Sequence, residues 1–240
     1  MWDNPTWLKN TSTALFAVSV LLLLYSALHY ALHLPNVLPI RTVKLAALPI
    51  NVDTEQVLQV VHDKVRGNFF TVDIEQLRIE LEKLAWVRQV NIRREFPNRL
   101  SVELAEHQAL AHWNNQALVN VQGDVFNAVT SATLPEFTGQ TGHSAQVAEL
   151  YALCNTQLQG VHLQVLSVVQ SPRFAWQVRL DNGMVLELGS EEMQARLARF
   201  VQVYPYSLAT QHGVVTTVDL RYRNGFAVSG IRGQSLSKGA

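Results

Sequence analysis

Thr13 to Leu34, TALFAVSVLLLLYSALHYALHL, decides how the chain is organised, because it runs without a single Lys, Arg, Asp or Glu. A helix rises ~1.5 Å per residue, so about 20 residues cross the ~30 Å hydrocarbon core of a bilayer. A helix also satisfies its own backbone hydrogen bonds, which lipid cannot do. Pro35 is expected to stop it, and Trp2, Trp7, Tyr25 and Tyr30 fall towards its ends, where amphipathic rings favour the interface. A cleaved signal peptide has a shorter apolar core and a small-x-small site; this run is longer, and Ser26-Ala27-Leu28 and His29-Tyr30-Ala31 match such a site poorly. One retained span is expected, with residues 1–12 on one side and the bulk of the chain on the other. Charge does not orient it: Lys9 and Asp3 precede the run, and Arg41 and Lys44 follow.

The chain has 240 residues, no net charge and one cysteine, Cys154. Neutrality argues against a nucleic-acid binder, which needs a basic footprint. A single Cys permits no internal disulfide and no thiolate zinc cluster, and among Leu150, Leu153 and Leu158 it reads as a small buried hydrophobe.

Beyond the span, Ile40 to Leu45 has strand character. Asp53 with Gln56, and Asp73 with Gln76, carry capping-box spacing for two helices. The first is expected to run to about Arg66, with Val57, Leu58, Val61 and Val65 on its apolar face and Gly67 as its stop. The second carries Ile74, Leu77, Leu81 and Leu84, with Val72 and Leu77 as a staple. A hairpin follows, turning at Pro97-Asn98, with Val90, Ile92, Arg94 and Phe96 on one face of its first strand. Leu100, Val102 and Leu104 alternate along its second. The expected order is βααββ over residues 36–107, two helices on one face of a three-stranded sheet.

Residues 108–233 read as a second, β-rich unit. Strands are expected at Leu118–Val121, Val125–Phe126, His162–Gln170, Ala175–Asp181, Met184–Leu188, Val214–Tyr222 and Phe226–Ile231. Asn182-Gly183 is a hairpin turn, and Asn224-Gly225 lies between the last two strands. One helix is expected from Ser144 to Leu158. Another is capped by Ser190, has Met193, Leu197, Phe200, Val201 and Tyr204 inward, and ends at Pro205. Residues 234–240 read as a disordered tail. The fold class is α+β behind one membrane helix.

No nucleophile elbow, phosphate loop, dinucleotide fingerprint or zinc-protease motif occurs. His29 and His33 share a helix face at metal-ligand spacing, but they sit in the last turns of the span, where neutral imidazoles reach the interface. The other six histidines are scattered. Arg88, Arg93, Arg94 and Arg99 form a basic patch that reads first as a solvated strand face and second as a docking surface for an acidic partner. Trp86 and Trp113 are expected in the first core or at the joint between units. No catalytic residue, cofactor or metal site is expected.

Leu84-Ala85-Trp86-Val87, then Val90, Ile92, Arg94, Phe96-Pro97, Leu100, Val102, Glu106, Ala111 and Trp113, resemble the membrane-proximal POTRA domain of the bacterial cell-division family FtsQ/DivIB. Leu118-Val119, Gly123, Val125-Phe126, Leu134-Pro135 with Gly139, Val218 to Tyr222 and Asn224 to Val228 resemble its β domain. The likeness spans nearly everything from the apolar run to Ile231. Ala109 departs from it, standing where the family often has Pro.

The resemblance implies an inner-membrane protein with a cytoplasmic amino terminus and a periplasmic bulk. It implies a non-enzymatic divisome scaffold at the septum, recruiting the single-span proteins FtsB and FtsL, with FtsB bound along the last strands. The partner-binding residues it implies are Arg221, Tyr222, Arg223, Asn224, Gly225, Phe226, Ala227, Val228, Ser229 and Gly230. Tyr222 is the expected anchor, Arg221 and Arg223 the expected partners of carboxylates, and Ser229 an expected edge amide removable by Ser229→Pro. The last strand is also expected to be a sheet edge because no later strand follows it. Two other functions compete. A membrane-anchored periplasmic enzyme would need a convergent catalytic set. A POTRA component of an envelope assembly machine would need a chain long enough for a barrel of ~10-residue strands.

Overall fold

A computed structural model of the chain describes residues 5–34, 37–209 and 215–230. The apolar run forms α1, Pro5–His33, whose segment Lys9–His33 is long and apolar enough to cross a membrane and is nowhere buried by the rest of the chain. Trp7, Tyr25 and Tyr30 stand exposed along it. Trp2, Pro35 and residues 231–240 lie outside the described residues, and so does Val214.

The chain divides into two units, 1–106 and 107–240. In the first, β1 (Thr42–Leu45) lies parallel to β3 (Arg99–Glu106), and β3 is antiparallel to β2 (Val87–Glu95), giving the order β1-β3-β2. Two helices, α2 (Thr54–Lys64) and α3 (Ile74–Leu81), supply the remaining core. The Asp73 carboxylate accepts from the Gln76 amide at 2.9 Å, the bond that capping-box spacing predicts. Asp53 instead accepts from Glu55, one residue earlier than expected. Val57, Val61, Leu77, Leu81, Leu100 and Val102 close the core, with Val72 and Leu77 both buried as a staple requires.

Leu58 departs from expectation. It is 55% exposed, and Val57 and Val61 are the residues of α2 that are buried. Arg94 shares the inward parity of its strand, yet its guanidinium escapes burial by bonding the Val72 carbonyl at 2.9 Å at the edge of the core. Trp86 packs against this core, but Trp113 belongs to that of the second unit.

The second unit is one nine-stranded sheet, ordered β12-β11-β10-β9-β8-β7-β4-β5-β6. Its strands are β4 (Ala109–Trp113), β5 (Ala117–Asn120), β6 (Val125–Phe126), β7 (Glu136–Thr138), β8 (Val165–Gln170), β9 (Trp176–Leu180), β10 (Val185–Gly189), β11 (Thr217–Asp219) and β12 (Ala227–Ser229). The helices α4 (Ser144–Leu158) and α5 (Met193–Ser207) pack together, α4 against β8 and α5 against β10. Phe137, Val168, Val178, Leu186, Leu197 and Phe200 are fully buried between them.

Several features of this unit differ from the sequence reading, and its last two strands, β11 and β12, are shorter than expected. The strands β4 and β7 are additional; β4 pairs antiparallel with β5 and parallel with β7. Asn114 clamps this junction, donating to the Gly139 carbonyl at 3.0 Å and accepting its amide at 3.1 Å. A Cβ on Gly139 would stand 2.8 Å from the Trp113 ring, so the close approach requires glycine. The residue before α5 is Glu192, not Ser190, in a left-handed conformation with no side-chain cap. Pro205 lies inside α5 rather than ending it, in the last turn, where it interrupts few helical bonds.

Candidate functional site

At one end of the sheet, β12 is the outermost strand and pairs only with β11 among the described residues, in antiparallel register: Thr217 with Ser229, Val218 with Val228, Asp219 with Ala227. On its other side β11 is parallel to β10. The Val185 amide donates to the Thr216 carbonyl and the Leu220 amide to the Glu187 carbonyl, both at 2.9 Å. Parallel pairing of that register turns the peptide groups of Val218 towards β10, which leaves those of Thr217 and Asp219 for β12. Ser229 and Ala227 are therefore the inward-bonded residues of β12, and the Val228 amide and carbonyl point out of the sheet. This corrects the expectation for Ser229: its amide serves the ladder with β11, and the edge amide is that of Val228.

The three residues of β12 are all exposed, Val228 included at 37%, and carry neither charge nor proline. Soluble proteins usually blunt an open edge with one or the other. The strand is held from behind. Phe226 packs on the core with its ring 6.4 Å from that of Phe200, edge to face. Gly230 has φ +77°, and a Cβ there would collide with the Thr216 hydroxyl, so the strand end depends on glycine.

Residues 220–226 form a longer connection than the one expected between strands ending at Tyr222 and starting at Phe226, and Gly225 has no left-handed φ. Arg199 of α5 fixes it: one guanidinium nitrogen donates to the Tyr222 carbonyl at 3.0 Å and to the Arg223 carbonyl at 2.5 Å. Arg199 directly precedes the buried Phe200, and nothing in the sequence around it marks it for this contact. Its anchoring leaves the Tyr222 side chain 58% exposed. Arg221 is committed internally. It holds Asp219 through Nε at 2.8 Å and an Nη nitrogen at 2.6 Å, and that hydrogen bond keeps the Asp219 carboxyl below the usual carboxylate range. Of the two arginines expected to meet partner carboxylates, Arg223 is the one without such an ion pair among the described residues.

Arg199→Ala should release the 220–226 connection without unfolding the unit. Amide exchange there should speed up while α4 keeps its protection. The Asp219–Arg221 bridge has a predictable pH dependence. A depressed carboxyl contributes stability above its unfolded value, about 3.9, and loses it as pH falls through the lower folded value. The protection of β11 amides, their exchange corrected for the intrinsic pH dependence, should therefore be flat from neutral pH down to about 4 and fall only below it.

The chain's relatives fit this architecture. Residues 38–107 match the POTRA domain of FtsQ type, and residues 111–221 match the C-terminal region of cell division protein FtsQ/DivIB. The cell division protein FtsQ of Nitrosospira multiformis is 41% identical over 97% of this chain and 100% of its own length. That of Burkholderia pseudomallei is 34% identical over 95% and 94%, and that of Shewanella oneidensis 37% over 84% and 78%. The chain belongs to the FtsQ family of cell division proteins. Its α+β fold is the FtsQ arrangement of an amino-terminal apolar helix, a POTRA domain and a β-rich domain. The FtsQ/DivIB match ends at Arg221, so Tyr222 to Gly230 extend beyond it.

The remaining sequence candidates lie at separate places among the described residues of this FtsQ-family chain. His29 and His33 stack at 4.1 Å, but the His33 Nδ1 lies 2.8 Å from the His29 carbonyl oxygen. Among the described residues no three His, Cys, Asp or Glu side chains gather as a metal site would require. An open cavity of about 600 Å³ beside Leu134, Tyr151, Asn155 and His162 has a single imidazole and no carboxylate in its lining. Cys154 is buried, and desolvation pushes its thiol up to about 12. Arg88, Arg93 and Arg99 are exposed on the hairpin, apart from the β12 edge in sequence and in sheet.

Proposed function

We propose that the chain is a non-enzymatic scaffold of the bacterial divisome, bitopic in the inner membrane, with a cytoplasmic amino terminus and both units in the periplasm at the septum. It recruits FtsB, and FtsL with it, by letting a strand of FtsB add to β12. One observation carries the reading: the outward amide and carbonyl of Val228 on an edge that bears no charge and no proline. An added strand gains main-chain bonds there, and neighbouring side chains set its identity. Tyr222, exposed beside the edge, supplies a large ring with a polar tip, and Arg223, which has no ion pair among the described residues, a cation for an acidic residue of the partner.

Co-purification tests the scaffold. FtsB should accompany the full-length chain from detergent-solubilised membranes and be lost from Tyr222→Ala; retention with undiminished affinity would remove Tyr222 from the interface. Orientation has its own test. Alkaline phosphatase fused after Ile231 should be active, and the amino terminus should be that of the intact chain. Cleavage after Ala27 or Ala31, or an inactive fusion, would overturn the topology.

A further inference from the structure

The end of α1 is not a free tether. Asn68, fully buried, donates from Nδ2 to the Leu32 carbonyl at 2.6 Å, an acceptor in the last turn of the helix, and to the Leu34 carbonyl at 3.0 Å, which also accepts the Val37 amide. Its Oδ1 meanwhile accepts the amides of Phe70 and Thr71, each at 2.9 Å. The Phe69 amide bonds the Leu38 carbonyl at 3.0 Å, and Pro39 pairs with Asn68 as an isolated bridge. The segment 68–70 is thus held to the exit of the apolar helix by the two Asn68 bonds and to the following Leu38 by a third, while the Oδ1 bonds fix the Asn68 side chain within its own loop.

That segment carries aromatic surface that the fold does not cover. Phe69 is buried, but its ring meets Phe70 at 5.4 Å and Phe96 at 6.0 Å, both edge to face. Phe70 is 46% exposed and Phe96, at the tip of the β2–β3 turn, 76%. Cations stand near the rings in sequence and register. The Arg41 amide bonds the Asn98 carbonyl in the same turn, Arg66 lies two residues before Asn68, and Arg99 follows the turn; all three side chains are exposed. The acid nearest the turn in sequence is Glu95, in register opposite Arg99.

We propose that Phe70 and Phe96 seat the first unit on the bilayer surface beside α1, with Arg41, Arg66 and Arg99 at the level of the lipid phosphates. The inference rests on reading α1 as a membrane span. The rings are continuous with the span through Asn68, so the surface closest to them is the leaflet from which α1 emerges. Apolar rings placed in the headgroup boundary leave water, and arginines there meet anionic lipid. A single pinned helix end leaves the unit free to tip; a second foothold at the Phe96 turn removes that freedom and holds the unit in one attitude on the membrane.

Site-directed spin labels on the full chain in phosphatidylethanolamine/phosphatidylglycerol vesicles test this. Buried Cys154, with its raised thiol pKa, stays unlabelled. A label at Leu23→Cys should lie in oxygen-rich hydrocarbon and one at Val129→Cys, where the native side chain is 92% exposed, in water. A label at Asn98→Cys should be protected from a water-soluble nickel chelate several-fold more than the one at position 129. In a Phe70→Asp, Phe96→Asp background that protection should vanish while position 23 is unchanged. If Asn98→Cys is as open to the chelate as Val129→Cys while Leu23→Cys stays deep, the surface seating is wrong and the span stands. If protection survives loss of both rings, the tether alone places the turn and the seating is wrong again. If position 23 itself lies in water, the span fails, and the seating fails with it.

Discussion

Leu81→Asp is expected to unfold the first unit while leaving the second intact. Leu81 is fully buried on α3 against Val57, Leu77 and Leu100. Removing a buried leucine side chain costs about 2–5 kcal/mol in lost burial and cavity. An aspartate in its place adds the cost of burying a carboxylate, or of protonating it at neutral pH, which is several kcal/mol more. A domain of this size, residues 38–107, has roughly 4–10 kcal/mol of stability to lose. Amide exchange in the full-length chain should show β2 and β3 unprotected and α4 unchanged. Leu58→Gln, on the exposed side of α2, should leave the pattern as it is. Arg78→Asp is not the neutral control that its position off the apolar stripe suggests. Arg78 bonds both Glu75 and Glu82, and Glu82 accepts the Val90 amide at 3.2 Å, so an acid there would gather three carboxylates beside the start of β2. It should weaken the unit without unfolding it.

What the sequence makes legible follows from how local each signal is. The helix α4 begins and ends at its expected residues because its stripe of Val147, Leu150, Cys154 and Leu158 persists through four turns. The two capped helices of the first unit are legible for the same reason, since caps and periodicity act within one segment. Leu58 is misread because a face defined by spacing alone is wider than the stripe the sheet covers. The strands β4 and β7 escape notice because Ala109 and Ala111 weaken the strand signal of the first and the second is only three residues long. Their existence depends on pairing with each other across more than twenty residues, which is tertiary information.

The site divides in the same way. That the chain's last strands lie at a sheet edge is readable from their order, and their lack of charge from composition. Which amide faces outward is not readable, because alternation fixes parity only once a neighbour is known. The parallel pairing of β10 with β11, reached through the whole of α5, sets it. Arg199 is invisible for a related reason: its carbonyl partners, those of Tyr222 and Arg223, have no side-chain signature.

Val228→Pro is expected to abolish FtsB binding while the second unit stays folded. Proline is accepted in an edge strand when its nitrogen faces away from the sheet, and the register of β11 and β12 puts Val228 in that position. The substitution deletes the outward donor, and the ring occupies the space that the partner's carbonyl would approach. A lost main-chain bond costs about 0.5–1.5 kcal/mol, and leaving the partner's acceptor unsatisfied in the closed interface adds about 1–3 kcal/mol. The sum corresponds to at least a tenfold loss of affinity, before the steric clash is counted. Ser229→Pro must behave differently. Its nitrogen faces β11, so the change breaks the ladder with Thr217 and should detach β12, seen as faster exchange in β11 and a lower melting temperature. Calorimetry of the FtsB periplasmic segment against each variant, with circular dichroism on the same samples, separates the two. Loss of binding with an unchanged melt for Val228→Pro assigns the contact to the outward peptide group. Undiminished binding by a folded Val228→Pro chain would exclude strand addition at β12 and turn attention to the exposed Arg88 and Arg93 of the first hairpin.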